Sequence, residues 1–281
     1  PMQGLHSMPD TLKEMEILYG LHPVEEAIRA RSRRFDHVCV ARERADAKLD
    51  RIAAMCREHG IRLQSASREY LTDMAKTAAH QGVVAVVRAK ALADLEDLLT
   101  PQEGRNALLL ALDGVEDPQN LGALLRSAEG AGVDGVIATE RRAAPLSAVA
   151  VKASAGAAEH IPLARVVNMT RTLERIKAAG IWVMGLDERG TADYDAIDYT
   201  MPCALVLGRE GAGLHDLVRK TCDQLLRIPM AGSVASLNVS VAGAVVLFEA
   251  ARQRRQAHAD EVSEMPSATA TPKKQKGLGS F

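Results

Sequence analysis

The sequence predicts an α/β protein in two parts: a small N-terminal unit over residues 16–90 and a larger parallel-sheet unit over 106–256. Three observations predict it. Short apolar runs alternate with segments whose apolar residues recur at helical spacing, the pattern of strands covered by helices. A linker over 91–105 divides the chain, and its residues 91–104 include four acids (Asp94, Glu96, Asp97, Glu103) and no base. Hydrophobic residues make up 47% of the 281 but aromatic residues only 3%, so the core is aliphatic and large enough to fold unaided.

In the first unit, the stretch 17–24 leads into a short helix ending near Ala30, and 36–40 reads as a strand. Leu49, Ile52, Ala53 and Cys56 recur at i, i+3, i+4 and i+7 and predict a helix over about 46–59, stopped by Gly60. A second apolar run, 83–87, completes an α/β sandwich. The larger unit opens with a buried strand at 107–111. Asp117 and Pro118 then mark a helix start as N-cap and first helical residue, and Leu121, Leu124, Leu125 and Ala128 form that helix's buried stripe. Apolar runs at 135–139, 181–186 and 203–207, helical patterns near 168–179 and 214–221, and a long final helix over about 237–255 complete a parallel sheet covered by helices. The leading residues to about Met15 read as a loose tail or an expression remnant, and 257–281 as a disordered tail.

Charge and cysteine content narrow the class. The net charge of −1 hides a division, since residues 16–90 carry 14 Lys and Arg against 10 Asp and Glu, whereas 105–255 balance at 17 against 17. A basic front unit, an acidic linker and a neutral rear unit suit an RNA-binding layout. Cys39, Cys56, Cys203 and Cys222 lack metal-type spacing, so no metal is expected and a reducing, cytoplasmic compartment is. No apolar run approaches the roughly 20 residues that span a bilayer.

Four motifs bear on chemistry. The segment 130–135 (Gly-Ala-Gly-Val-Asp-Gly) matches the dinucleotide pattern in letters, but a helix precedes it and a strand follows. That order is the reverse of what places a phosphate on a helix N-terminus, so glycine as a helix stop explains it better. The segment 208–213 (Gly-Arg-Glu-Gly-Ala-Gly) follows a strand and precedes a helix, where open parallel sheets bind ligands. Ser236 and Asn238 stand at the start of the final helix, after Ile228-Pro229-Met230 and a Gly/Ser loop; capping alone would justify both. Asn120, in Asp117-Pro118-Gln119-Asn120-Leu121-Gly122, lies six residues, roughly 9 Å of helix rise, before Arg126. An arginine leaning toward the helix N-terminus would close much of that gap.

In this order, the Asp-Pro-x-Asn-x-Gly motif with Arg126, the 207–214 loop and the Ile-Pro-Met…Ser-Leu-Asn segment resemble the signature of the SPOUT methyltransferases, specifically their SpoU/TrmH branch of RNA 2′-O-ribose methyltransferases. The resemblance runs from about Ile17 to Arg255. The front unit, with Tyr19-Gly20-Leu21-His22-Pro23-Val24-Glu25 and His80-Gln81-Gly82-Val83-Val84-Ala85, is similar to the N-terminal domain of the bacterial enzymes that methylate 23S rRNA guanosine. That domain has a ribosomal-protein-like RNA-binding fold. The resemblance implies a deep trefoil knot in the rear unit, a homodimer with active sites near the subunit interface, and S-adenosylmethionine as cofactor. It implies that Gly208, Ile228, Met230 and Leu237 line the adenosine pocket, with Gly185 and Leu186 close by. It also implies that Arg126 acts on the ribose 2′-hydroxyl, as base or as stabiliser of the developing alkoxide, while Asn120, Glu210, Ser236 and Asn238 orient the reactants. The expected RNA is 23S rRNA or an assembling large subunit. A tRNA substrate, a non-catalytic RNA-binding assembly factor and a nicotinamide-dependent enzyme are the alternatives, separable by cofactor binding and by the RNA that is labelled.

Overall fold

The computed structural model describes residues 15–42, 46–100 and 104–264, without the side chains of 261–264. The front unit is a four-stranded sheet in the order β1-β4-β2-β3, formed by Met15–Tyr19, Val83–Arg88, Phe35–Ala41 and Leu63–Ala66. β4 runs antiparallel to both β1 and β2, and β3 pairs parallel to β2. The helices are α1 (Leu21–Ala30), α2 (Ala47–Glu58) and α3 (Arg68–Ala75). α2 buries Leu49, Ile52 and Cys56 of the expected stripe and leaves its fourth member, Ala53, partly buried, and Asp46 caps the first turn through Lys48 N at 2.9 Å.

The rear unit is a seven-stranded, wholly parallel sheet: Leu163–Val166 (β7), Gly135–Thr139 (β6), Leu108–Leu112 (β5), Cys203–Leu207 (β10), Trp182–Leu186 (β8), Gln224–Arg227 (β11) and Ala192–Asp193 (β9), in that spatial order. Every residue of β5 and β10 is buried, as expected of strands covered on both faces. Helix α4 (Leu95–Leu99) occupies the linker, which is therefore not simple coil. α5 (Pro118–Gly130) starts as predicted: Asp117 Oδ1 accepts from Gln119 N at 3.0 Å, and Leu121, Leu124, Leu125 and Ala128 are buried. α6 (Ala148–Ala153) packs against α5 so closely that a Cβ at Gly122 would overlap the Ala150 carbonyl oxygen. α7 (Met169–Ala178) and α8 (Asp216–Thr221) pack on each other.

The last helix, α9, runs Val239–Glu264. It begins two residues later than expected and extends nine beyond Arg255, so 257–264 is helix and not coil. That segment has one large apolar residue in its sequence, Val262, too little for a periodic stripe, yet it is rich in helix-compatible Ala and Glu. Residues 1–14 and 265–281, the remaining parts of the two expected tails, lie outside the described residues, while Met15 already belongs to β1.

The two units meet through a buried polar junction. Arg33 Nε lies 3.0 and 2.9 Å from the two carboxylate oxygens of Glu159, and both side chains are fully buried. Ser32 Oγ donates to Glu159 at 2.6 Å, and Lys90 Nζ donates to the carbonyls of Ala158 and Ile161 at 2.5 and 2.8 Å. The two front-unit motifs converge at the same junction: Gln81 Oε1 accepts from Leu21 N at 3.2 Å and also from Lys152 of α6.

Candidate active site

A parallel sheet delivers all its strand ends to one edge, where loops rather than ladders satisfy the backbone. Here the loops after β5, β8, β10 and β11 gather at that edge. After β10 the chain folds back on itself, with Arg209 N donating to Gly213 O at 3.0 Å and Gly213 N to Arg209 O at 2.9 Å. Gly211 and Gly213 have φ of 72° and 67°, and a Cβ on Gly208 would overlap the backbone of Gly213 and Leu214. Only glycine permits this turn. After β8, the buried Asp187 accepts from Arg189 N, Nε and Nη2 at 2.9, 2.9 and 3.1 Å. Those bonds from Arg189 hold its carboxyl below the usual carboxylate range despite burial.

Three of the five expected catalytic residues form one network. Asn120 Nδ2 donates to Glu210 Oε2, and Asn238 Nδ2 donates both to Asn120 Oδ1 and to Glu210 Oε1, each at 3.0 Å. Asn238 Oδ1 meanwhile accepts from Ser240 N at 2.9 Å and Ser240 Oγ at 2.6 Å, capping α9. Capping and site assembly are therefore simultaneous, one through the amide oxygen and the other through its nitrogen. The network ties the start of α5, the glycine loop and the start of α9 together across about a hundred residues of sequence.

Beside this network lies a cleft lined by Gly208, Ile228, Met230 and Leu237, the expected pocket residues, together with Leu186, Ser236 and the charged Asp187, Arg189 and Arg209. Gly185 is not in the lining. Alternate strand residues face opposite sides, and Gly185 points under Leu214, Cys222 and Leu225, leaving Leu186 to meet the cleft. Arg126 is not brought in either. It is exposed on α5, outside the cleft, with no hydrogen bond or ion pair among the described residues. Six residues turn a helix by about 240° as well as advancing it, so Arg126 leaves on a different face from Asn120, a rotation that reach along the axis does not correct.

Sequence reasoning missed several groups at this edge. Asp113, buried at the end of β5, accepts from His215 N at 3.0 Å and His215 Nδ1 at 2.8 Å. The Asp187–Arg189 clasp and Arg209 were also unforeseen; the available signal was an Asp or Arg within two residues of the end of an apolar strand. Among the described residues no cluster of three or more His, Cys, Asp or Glu could hold a metal, and no helix is long and apolar enough to cross a membrane.

Fold and site together define a parallel α/β protein with a small-molecule cleft of mixed apolar and charged lining beside a polar Asn–Glu–Asn centre, preceded by a separate sheet domain. The chain belongs to the SpoU rRNA methylase family, whose profile matches residues 107–248. A second profile, described as RNA 2′-O ribose methyltransferase substrate binding, matches 17–93. The chain is 45% identical over 241 residues to the 23S rRNA (guanosine-2′-O-)-methyltransferase RlmB of Photobacterium profundum, covering 85% of this chain and 98% of that one. Among solved structures it is similar to the SpoU methyltransferase AviRb from Streptomyces viridochromogenes in complex with AdoMet, with TM-score 0.74, 27% identity and coverage of 88% and 93%. An AdoMet-bound rRNA methyltransferase from Sinorhizobium meliloti matches with TM-score 0.72, 30% identity and coverage of 86% and 88%.

Proposed function

We propose that this protein methylates a ribose 2′-hydroxyl of RNA with S-adenosylmethionine, and that its target is a guanosine of 23S rRNA. The observation that carries the chemistry is the Asn120–Glu210–Asn238 network placed against the cleft. The residues present fit the cofactor: Leu186, Ile228, Met230 and Leu237 offer apolar contact to a purine, and the turn at Gly208 leaves main chain where a side chain would otherwise intrude. Met230 and Leu237 are more than a third exposed, apolar surface that a bound ring would cover. The cofactor supplies an activated methyl group on a sulfonium.

The chain's own residues then orient and discharge the hydroxyl. Asn120, Glu210 and Asn238 hold the start of α5 and the glycine loop in fixed register, which is the alignment that an in-line transfer needs. Ser236 lines the cleft with a hydroxyl that has no hydrogen-bond partner among the described residues and is available to the ribose. Arg126 supplies a guanidinium to the 2′-oxygen and the adjacent phosphate, stabilising charge as the hydroxyl proton passes to solvent.

Arg126 reaches a reaction centre in a homodimer. Val241 and Phe248, seven residues apart on one face of α9, are about half exposed, and Phe248 lies against the α5 end at Gly130. A second copy covering this apolar strip would bring one subunit's α5 toward the other's cleft. We also infer the trefoil knot, supported by the insertion of β10 between β5 and β8. The three buried cysteines and the partly buried Cys222 are free thiols, which suits a cytoplasmic protein.

The test is transfer of labelled methyl from S-adenosylmethionine to unmodified 23S rRNA and, separately, to unmodified bulk tRNA. Ribose label on 23S rRNA is expected. Label on tRNA alone would keep the chemistry and overturn the substrate. Cofactor binding without label on naked RNA, followed by label on precursor large subunits, would shift the substrate to the particle. Absence of cofactor binding would overturn the enzyme and favour a binding protein.

A further inference from the structure

The edge that carries the cleft continues over β5 and β6, with Arg209 in the cleft wall and Arg141 and Arg142 beyond it. Arg209 lies with its stem across Gly114, where a Cβ would come within 2.8 Å of Arg209 Cγ and 3.2 Å of Cδ. Its Nε is buried without an acceptor, and its outer nitrogens have no partner among the described residues. On the far side of the same 113–117 loop, Val115 O accepts from Ala144 N at 2.8 Å. That bond anchors the segment after β6, which Arg165 braces by donating to Thr139 O at 2.9 Å and Ala144 O at 2.5 Å. The braced segment presents Arg141 and Arg142, both exposed and without a hydrogen bond or ion pair among the described residues. Arg142 is held at φ 53°, a left-handed conformation that an L-residue adopts only when its surroundings impose it.

We propose that Arg141, Arg142 and Arg209 form a phosphate track for the RNA strand flanking the methylated nucleotide. The proposal rests on the RNA methyltransferase reading and names how that site holds its substrate. β6 and β10 both neighbour β5, so the two ends of the track are about 10 Å apart at the sheet edge. A stacked strand advances about 3.4 Å per nucleotide, so the track spans a few residues of one strand. Asn120, buried in the first turn of α5, follows the 113–117 loop that separates the arginines, and its bonds to Glu210 and Asn238 set the reaction centre next to Arg209. A guanidinium fork matches a phosphate's paired oxygens, and three forks with no carboxylate partner of their own are ready to accept them. Glu116 and Glu140, exposed on the same loops, interrupt the positive surface, so the contacts are discrete and fix register.

The test is equilibrium binding of an unmodified 23S rRNA transcript to wild-type protein, R141A/R142A and R209A, between about 50 and 200 mM salt. Each variant should bind roughly tenfold more weakly at the lower salt. The slope of log affinity against log salt should fall by about 0.7 for each phosphate that is no longer neutralised. In R141A/R142A cofactor affinity and melting temperature should be unchanged, and R209K should recover part of the RNA affinity that R209A loses. Unchanged slopes in both variants would overturn the track. R209A with weakened cofactor binding and normal RNA binding would assign Arg209 to the cofactor's carboxylate and overturn its place in the track. Wild-type protein that binds the transcript with the expected slope, weakens in the variants, and neither binds S-adenosylmethionine nor labels transcript or precursor large subunits would support the track while overturning the methyltransferase reading.

Discussion

Two glycine-rich hexapeptides, 130–135 and 208–213, sit at opposite edges of the same sheet and have the same glycine content, three residues each. In the first, α5 ends and β6 begins: Gly132 takes φ 77°, Gly132 N donates to Glu129 O at 3.0 Å and Val133 N to Ala128 O at 2.9 Å, closing the helix. In the second, β10 ends and the chain turns back on itself beside the cleft, with Glu210 held between two asparagines. The first turn satisfies its own helix, and the second presents backbone and a carboxylate to whatever occupies the edge. Glycine count does not distinguish them. The side of the strand on which they fall does, because a parallel sheet places helix-to-strand turns at one edge and strand-to-ligand loops at the other.

Substitutions at the two turns sharpen this contrast. Gly208→Ala forces a Cβ into the backbone of Gly213 and Leu214, so cofactor affinity should fall by about a hundredfold or more in calorimetry. Glu210→Gln replaces one of two carboxylate acceptors with a donor and leaves an asparagine amide unpaired. At about 1–3 kcal/mol for such a change, turnover in a methyl-transfer assay should drop roughly 10- to 100-fold. Gly132→Ala meets open space beyond a distant Arg105 contact at 3.9 Å, and its penalty is the left-handed backbone alone. Denaturant unfolding should show a stability decrease of about 1–2 kcal/mol with cofactor affinity unaltered. A change in cofactor binding there would break the contrast.

The smallest effect concerns the clasp next to the cleft. Hydrogen bonding from Arg189 lowers the Asp187 carboxyl below its ordinary 3.8, so its stabilising contribution is complete above that value. It disappears only as pH falls through the lower folded value. Asp187→Asn should therefore melt slightly below wild type at pH 7, and the difference should shrink below about pH 3.8.

How much the sequence revealed follows from the same geometry. Local signals were legible: Asp117 and Pro118 fixed the start of α5, and β5 was displaced from expectation by a single residue at each end. Four-residue strands escaped, because β3, β7 and β11 are too short for an apolar run to stand out. Leu225 and Leu226 of β11, for instance, sit between Gln224 and Arg227. Asn120, Glu210 and Asn238 were found through their motifs, yet their mutual bonding joins residues up to 118 apart and no spacing rule expresses it. The same holds for Arg33 with Glu159, which fixes one unit on the other. Arg126 shows the converse: its distance along α5 was right, and its direction around the helix was not.

The central claim is that this edge performs ribose methylation with Arg126 acting on the hydroxyl and not on the cofactor. The direct measurement is single-turnover transfer of labelled methyl to 23S rRNA by wild type and Arg126→Ala, with label mapped to the ribose and cofactor binding measured in parallel. Turnover lower by about 10²–10⁴ in the variant, with cofactor affinity intact, is the predicted result. Near-normal methylation by Arg126→Ala would contradict it.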